Sequence, residues 1–206
     1  MTAADKVTSI RLYLAPVFFI VYLLPRFNLP PALEEVFFSR GQGWTVPVLW
    51  VLFVVSELTD MLDGAIARRS KMVSDFGKLF DPFADVLVRV TYFLCFVVDG
   101  ILPAALLLLV LYREFAIQFV RNLMLKKGVV MGARWAGKVK SVVYMVAGAL
   151  ALLASSISRL GVEGILFPLF RGAAVAAFAL SVILALASFG DYVSVYRKAE
   201  GPGHAP

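Results

Sequence analysis

Charge is scarce in this chain. Lys, Arg, Asp and Glu together make up 17% of its 206 residues, against 61% apolar side chains. Soluble domains carry roughly a quarter charged residues, so a water-soluble fold is excluded, and the mean hydropathy of +0.85 agrees. Cysteine is almost absent as well. Cys95 has no partner in the chain, which excludes an internal disulfide, and its place within an apolar run reads as a buried structural thiol. Histidine occurs once, as His204 in the Gly/Pro-rich tail, where a solvated terminus is the expected setting. No internal repeat and no linker divides the chain, so residues 1–206 read as a single membrane-embedded domain.

What the chain does have is long apolar runs. A helix needs about 20 apolar residues to cross a hydrocarbon core of ~30 Å, and six runs qualify approximately: 8–24, 44–67, 76–98, 101–123, 137–156 and 166–193. They are continuous rather than alternating in ten-residue segments, so the expected fold is all-α and polytopic rather than a membrane barrel. The first run carries Arg11 and Tyr13 and lacks a small-residue cleavage site before Pro25, so it is expected to remain as a span. Residues 25–43, with Pro30, Pro31, Glu34 and Glu35, are too polar to span and form an external loop with room for one short helix. Asp99-Gly100 marks a tight turn.

Twenty basic residues outnumber fourteen acidic ones. The excess is dispersed between the runs instead of gathered on one soluble face, which argues against nucleic acid as partner. Lys6 and Arg11, then Arg68, Arg69, Lys71 and Lys78, then Lys126, Lys127, Arg134, Lys138 and Lys140, and last Arg197 and Lys198 fall at alternate ends of the runs. The positive-inside rule therefore sets both termini at the cytoplasmic face of a cell membrane.

Against this apolar background four aspartates stand close together. Asp60, Asp63, Asp81 and Asp85 lie in the pattern D-x2-D-G-x2-A-R-x8-G-x3-D-x3-D. Carboxylates in or beside a span cost several kcal/mol each unless compensated. Asp60 and Asp63 are three apart and Asp81 and Asp85 four apart, so each pair shares a helix face. Two such pairs on facing helices can hold two hard divalent cations, and such cations clamp and polarise phosphoryl groups. Gly64 and Ala67 leave a helix surface bare for close approach of a nucleotide, and Arg68 adds a permanently charged donor for phosphate oxygens. Ser74 or Asp75 is placed to cap the returning helix near Phe76. Glu57, three before Asp60, shares its face as a further contact to nucleotide or outer shell, or as the partner of a basic residue.

Asp60, Asp63, Gly64, Ala67, Arg68, Gly77, Asp81 and Asp85 match every fixed position of the pattern that marks the CDP-alcohol phosphatidyltransferase family, which this chain therefore resembles. The resemblance implies that Asp60, Asp63 and Asp81 bind two divalent metals, Mg²⁺ or Mn²⁺, that hold a CDP pyrophosphate. It implies that Asp85 is the general base and shares a metal. Gly64, Ala67, Arg68 and Gly77 then face the nucleotide, and a homodimer is the expected assembly.

A second constellation follows on the fourth run. Arg113 and Glu114 interrupt it, Arg121 lies eight residues beyond Arg113, and Lys138 and Lys140 flank the start of the fifth run. Arg113, Arg121, Lys138 and Lys140 can form a pocket for the phosphate of an acceptor; head-group anchoring and pairing of Arg113 with Glu114 form the competing reading. Arg113-Glu114-Phe115 and Gly137-Lys138-Val139-Lys140-Ser141 resemble the branch of the family that makes phosphatidylglycerophosphate. That branch usually carries Lys directly after the fourth Asp, where this chain has Val86. The resemblance thus implies a transferase of phospholipid biosynthesis that takes CDP-diacylglycerol and glycerol 3-phosphate, working at the cytoplasmic face. The same chemistry on inositol phosphate, serine or choline is the runner-up, and an ion-conducting transporter is the alternative from another class.

Overall fold

The structure, a computed structural model, describes the backbone of residues 3–38, 41–70, 75–126, 135–162 and 164–199, with side chains over 8–38, 41–60, 80, 82–124, 139–162 and 164–190. These residues are helical, with no strand among them. The order is α1 (Ala3–Leu23), a 3-10 turn (Leu24–Arg26), α2 (Pro31–Phe38), α3 (Thr45–Ser70), α4 (Asp75–Val98), α5 (Ala104–Lys126), α6 (Trp135–Arg159) and α7 (Leu166–Ala199). The short α2 is the one short helix for which the polar stretch 25–43 had room. α3 runs to Ser70, three residues past the expected end of its apolar run, and the capping position before α4 lies outside the described residues.

Apart from α2, each described α-helix has at least 21 residues, or at least about 31 Å at ~1.5 Å per residue. Three of them are both long and apolar enough to cross a membrane, over Thr8–Arg26, Val139–Arg159 and Leu166–Gly190. α3, α4 and α5 match them in length but carry the charged constellations, including Glu57, Asp60, Asp85, Arg89, Arg113 and Glu114. Hydropathy falls where the chemistry is concentrated.

Two groups of helices build the bundle. α1 packs along α3 and α4, α7 packs along α5 and α6, and α4 joins the groups by touching α5 and α6. Lipid tails are as apolar as Leu, so close packing rather than water exclusion holds such helices together. Aromatic rings supply that packing: Phe18 meets Tyr92 at 4.5 Å between centroids, Phe53 meets Tyr92 at 5.5 Å, and Phe93 meets Phe178 at 4.4 Å. Gly148 on α6 permits the approach of α3, because a Cβ there would stand 3.1 Å from a ring carbon of Phe53. Gly172, by contrast, faces open space, and in the small-residue run on α7 it is Ala174 that is fully buried. Outward faces carry Tyr13, Val51, Leu58, Tyr112, Phe119 and Ile183, all exposed, as a lipid-facing surface requires.

α4 ends in a Schellman motif. Gly100 takes φ +69°, its amide donates to Val97 and the Ile101 amide donates to Phe96 at 2.9 Å, while Ile101 and Phe96 are both buried. The turn delivers Asp99 to a polar clasp about 16 Å along α1 from Arg11. Tyr22 Oη donates to Asp99 Oδ2 at 2.6 Å and lies 2.9 Å from Ser155 Oγ. Arg159 donates to the Tyr22 carbonyl at 2.7 Å, Ser155 Oγ at 3.1 Å and Thr45 Oγ1 at 3.2 Å, with its guanidinium 4.4 Å from the Tyr22 ring centroid. Arg26 closes the set on Asp99 Oδ1 at 2.6 Å. The clasp ties α1, α3, α4 and α6 together at one end.

Hydrogen bonds between membrane helices average about 0.6 kcal/mol each, so losing the two that Arg159 makes to Tyr22 and Thr45 on other helices should cost about 1 kcal/mol. Arg159→Gln is expected to lower the unfolding midpoint in mixed micelles accordingly, whereas Arg26→Gln, at an exposed position, should change it little. Equal effects of the two would contradict this division of roles.

Candidate active site

Toward the other end of the bundle, three helices bring charges together. α1 supplies Arg11, α3 supplies Glu57 and Asp60, and α4 supplies Asp85 and Arg89. The spacing does the work: Glu57 and Asp60 are one turn apart on α3, and Asp85 and Arg89 one turn apart on α4, so each pair shares a face. Arg11 Nη1 donates to Asp60 Oδ1 at 2.6 Å and to Asp85 Oδ1 at 2.5 Å. One nitrogen thus bridges carboxylates from two different helices. Arg89 Nη2 stands 3.7 Å from Asp60 Oδ2, an ion pair longer than a hydrogen bond. Glu57 lies within electrostatic reach of both arginines and both aspartates. Among the described side chains, three carboxylates against two guanidiniums leave one formal negative charge in excess.

The burial is asymmetric. The Arg11 side chain is 3% exposed, while those of Asp60 and Asp85 are 34% and 29% exposed. The cation is sunk into the bundle and the carboxylates open toward an approaching ligand. Asp63 and Asp81 sit one turn from Asp60 and Asp85 on the same helices, with side chains outside the described residues. The same holds for the side chains of Ala67 and Arg68 and for the surroundings of Gly64 and Gly77. Among the described residues no group of three or more His, Cys, Asp or Glu gathers as a metal site. What is described fits a hard divalent cation: carboxylate oxygens from two helices converge on a point that already holds positive charge.

The second constellation is a compact ion cluster. Glu114 Oε1 accepts from Arg113 Nη1 at 2.8 Å and from Lys140 Nζ at 2.6 Å. Arg113 also donates to the Ala185 carbonyl at 3.0 Å and to Ser188 Oγ at 2.7 Å, which anchors it to α7. The structure therefore brings Arg113 and Lys140 together on one shared anion, leaving one formal positive charge in excess. Arg121 lies half-buried two turns farther along α5, and the Lys138 side chain lies outside the described residues. Tyr144 joins the two clusters, with the Arg89 guanidinium 5.8 Å and the Lys140 ammonium 5.3 Å from its ring centroid.

Sequence reasoning undervalued Arg11 and passed over Tyr144 and Ser188. Arg11 had a signal, since a guanidinium within an apolar run demands a partner; Tyr144 and Ser188 look like ordinary helix residues until the fold places them. Val86 turns toward α5 and lines an apolar recess of about 490 Å³ with Phe83, Leu111 and Phe115. Among the described side chains of α4, the cation that reaches the motif is Arg89, one turn beyond Asp85.

A family model described as CDP-alcohol phosphatidyltransferase matches residues 1–187. The chain is 37% identical over 198 residues to a CDP-diacylglycerol--glycerol-3-phosphate 3-phosphatidyltransferase of Treponema pallidum, covering 95% of this chain and 89% of that one. It is 30% identical over 157 residues to the protein of the same name in Bacillus subtilis, with 72% and 75% covered. A probable phosphatidylglycerophosphate synthase of Mycobacterium tuberculosis is 30% identical over 192 residues, with 93% and 79% covered. Nearly the whole chain, aspartate motif included, is thus accounted for by one kind of enzyme, and this protein is a phosphatidyltransferase that belongs to the CDP-alcohol phosphatidyltransferase family.

Proposed function

We propose that this enzyme transfers the phosphatidyl group of CDP-diacylglycerol to glycerol 3-phosphate, releasing CMP and forming phosphatidylglycerophosphate. The observation that carries the reading is the meeting of Asp60 and Asp85 on one cation, beside a second cluster with surplus positive charge. The names of the relatives from Treponema pallidum and Bacillus subtilis support glycerol 3-phosphate as acceptor. Six spans, cytoplasmic termini and a site facing the cytoplasm complete the reading, supported by the alternation of basic residues. The assembly proposed is a homodimer.

Family members use divalent metal. Asp60, Asp63, Asp81 and Asp85 would hold two Mg²⁺ or Mn²⁺ ions, which when bound neutralise charge on the pyrophosphate. Gly64, Ala67 and Gly77 let the cytidine moiety approach the backbone, and Glu57 borders the same face. Arg68 stabilises the leaving CMP. Arg113 and Lys140, with Arg121 and Lys138 at the cytoplasmic ends of α5 and α6, position the acceptor phosphate. Asp85 takes the proton of the acceptor hydroxyl as that oxygen bonds to the β-phosphorus and the bond from this phosphorus to the CMP oxygen breaks.

The direct test is CMP release by purified protein supplied with CDP-diacylglycerol, Mg²⁺ and one acceptor at a time from glycerol 3-phosphate, inositol phosphate, inositol, serine and choline. Release that depends on glycerol 3-phosphate is expected. Response to another acceptor would replace the substrate, and silence with all of them would overturn the reading. A general base contributes about 10²–10⁴-fold, so Asp85→Asn should slow release at least about 100-fold while the protein stays folded; a wild-type rate would remove Asp85 from that role. Lys140→Gln should raise KM for glycerol 3-phosphate about tenfold, equivalent to roughly 1.4 kcal/mol, with KM for CDP-diacylglycerol little changed. Equal increases in both would count against an acceptor pocket.

A further inference from the structure

We infer that Arg11 is the resident cation of the carboxylate site: it holds Asp60 and Asp85 together when no divalent metal is bound and yields their oxygens when one arrives. The inference rests on the metal-binding reading of the aspartate motif given above. Its starting point is geometric. A single nitrogen, Arg11 Nη1, lies 2.6 Å from one oxygen of Asp60 and 2.5 Å from one oxygen of Asp85. A hard divalent ion held by the same two oxygens would need the space that nitrogen fills. The guanidinium and a bridging ion therefore compete for one position.

Charge explains why such a cation is present. Two carboxylates this close in an apolar bundle repel each other, and the pair stays ionised only with a counter-charge between them. Arg89 adds a second positive charge that both aspartates feel, but it approaches Asp60 from the other oxygen, at 3.7 Å, and so does not occupy the point between the two carboxylates that Arg11 Nη1 fills. Arg11 comes from α1, whose position is fixed independently by the buried Ala15, Phe18 and Tyr22. For the ion to enter, the guanidinium must withdraw by side-chain rotation while the helix stays in place. Once withdrawn it remains at the site as a planar donor suited to two phosphate oxygens. Arg11 is thus a positioning residue that couples metal loading to the presentation of a phosphate-binding group.

The experiment is Mn²⁺ binding to chelator-stripped, detergent-purified full-length protein, followed by the electron paramagnetic resonance signal of free Mn²⁺, with unfolding midpoints in EDTA and in Mn²⁺. Arg11→Gln should bind Mn²⁺ about tenfold tighter than the unmutated protein, because the competing cation is gone. Its midpoint should fall in EDTA and recover with Mn²⁺ by more than the unmutated protein gains. Mn²⁺ affinity equal to or weaker than that of the unmutated protein would overturn the inference. Should Arg11→Gln not fold, Arg11→Lys decides: its point charge replaces the planar fork poorly, so tighter Mn²⁺ binding supports competition and equal or weaker binding refutes it. Asp60→Asn separates the two layers of argument. If the unmutated protein binds no Mn²⁺, or if Asp60→Asn binds it equally well, the metal-site reading fails and the role of Arg11 falls with it. Mn²⁺ binding that needs Asp60 but is not strengthened by loss of Arg11 leaves the metal site standing and removes only the inference.

Discussion

Everything at the working end of this protein depends on compensating carboxylates within an apolar helical bundle. Asp60 and Asp85 belong to different helices, and Arg11 places a guanidinium nitrogen between them while Arg89 adds a second positive charge beside them. An uncompensated charge at such a place would cost several kcal/mol. Solving the problem with a side chain from α1 ties the first helix to the two that carry the motif. The packing of α1 along both α3 and α4 is the structural counterpart of that electrostatic tie.

Among the described residues the bundle gathers charge at three places, and they differ in kind. At the Asp99 clasp, Arg159 spends its donors on Tyr22, Ser155 and Thr45, and the group closes on itself. At the motif Asp60 and Asp85 are about one third exposed, and the formal charges of the described side chains do not cancel. A closed network stabilises a fold, whereas an open one with surplus charge is prepared for a ligand. The Arg113–Glu114–Lys140 cluster lies between these cases: it is buried and hydrogen-bonded, yet keeps one positive charge in excess. Through Tyr144 it stands next to Arg89, so anionic and cationic regions adjoin within one bundle, as the proposed transfer from a pyrophosphate to the hydroxyl of a phosphorylated acceptor requires.

The all-helical class was legible because continuous apolar runs leave no other way to satisfy backbone groups in lipid. The motif was legible because its spacing is helical, and the backbone of α3 and α4 carries it as expected. Side-chain partnerships between helices were not legible. The pairing of Arg113 with Glu114 could be written down as one of two readings, but the shared use of Glu114 by Lys140, 26 residues away, depends on how α5 meets α6. Arg11 was read for topology alone, since nothing local to it reveals carboxylates 49 and 74 residues distant. Position 86 shows the converse limit: the sequence reveals that a lysine is missing and offers Arg89 as a substitute, while the fold shows that Val86 turns to α5 and that Arg89 stands 3.7 Å from Asp60.

Convergence of the two carboxylate positions on a single cation site can be measured without relying on turnover. In a Cys95→Ala background, the paired substitutions Asp60→Cys and Asp85→Cys place two thiols where the carboxylates meet, and two thiolates at such a separation bind a soft metal jointly. Protection of these thiols from maleimide by Cd²⁺ is the measurement. Joint protection at Cd²⁺ concentrations far below those needed by either single variant is the expected result. Protection no better in the pair than in the single variants would mean that α3 and α4 do not bring these positions together, and the shared site would have to be abandoned.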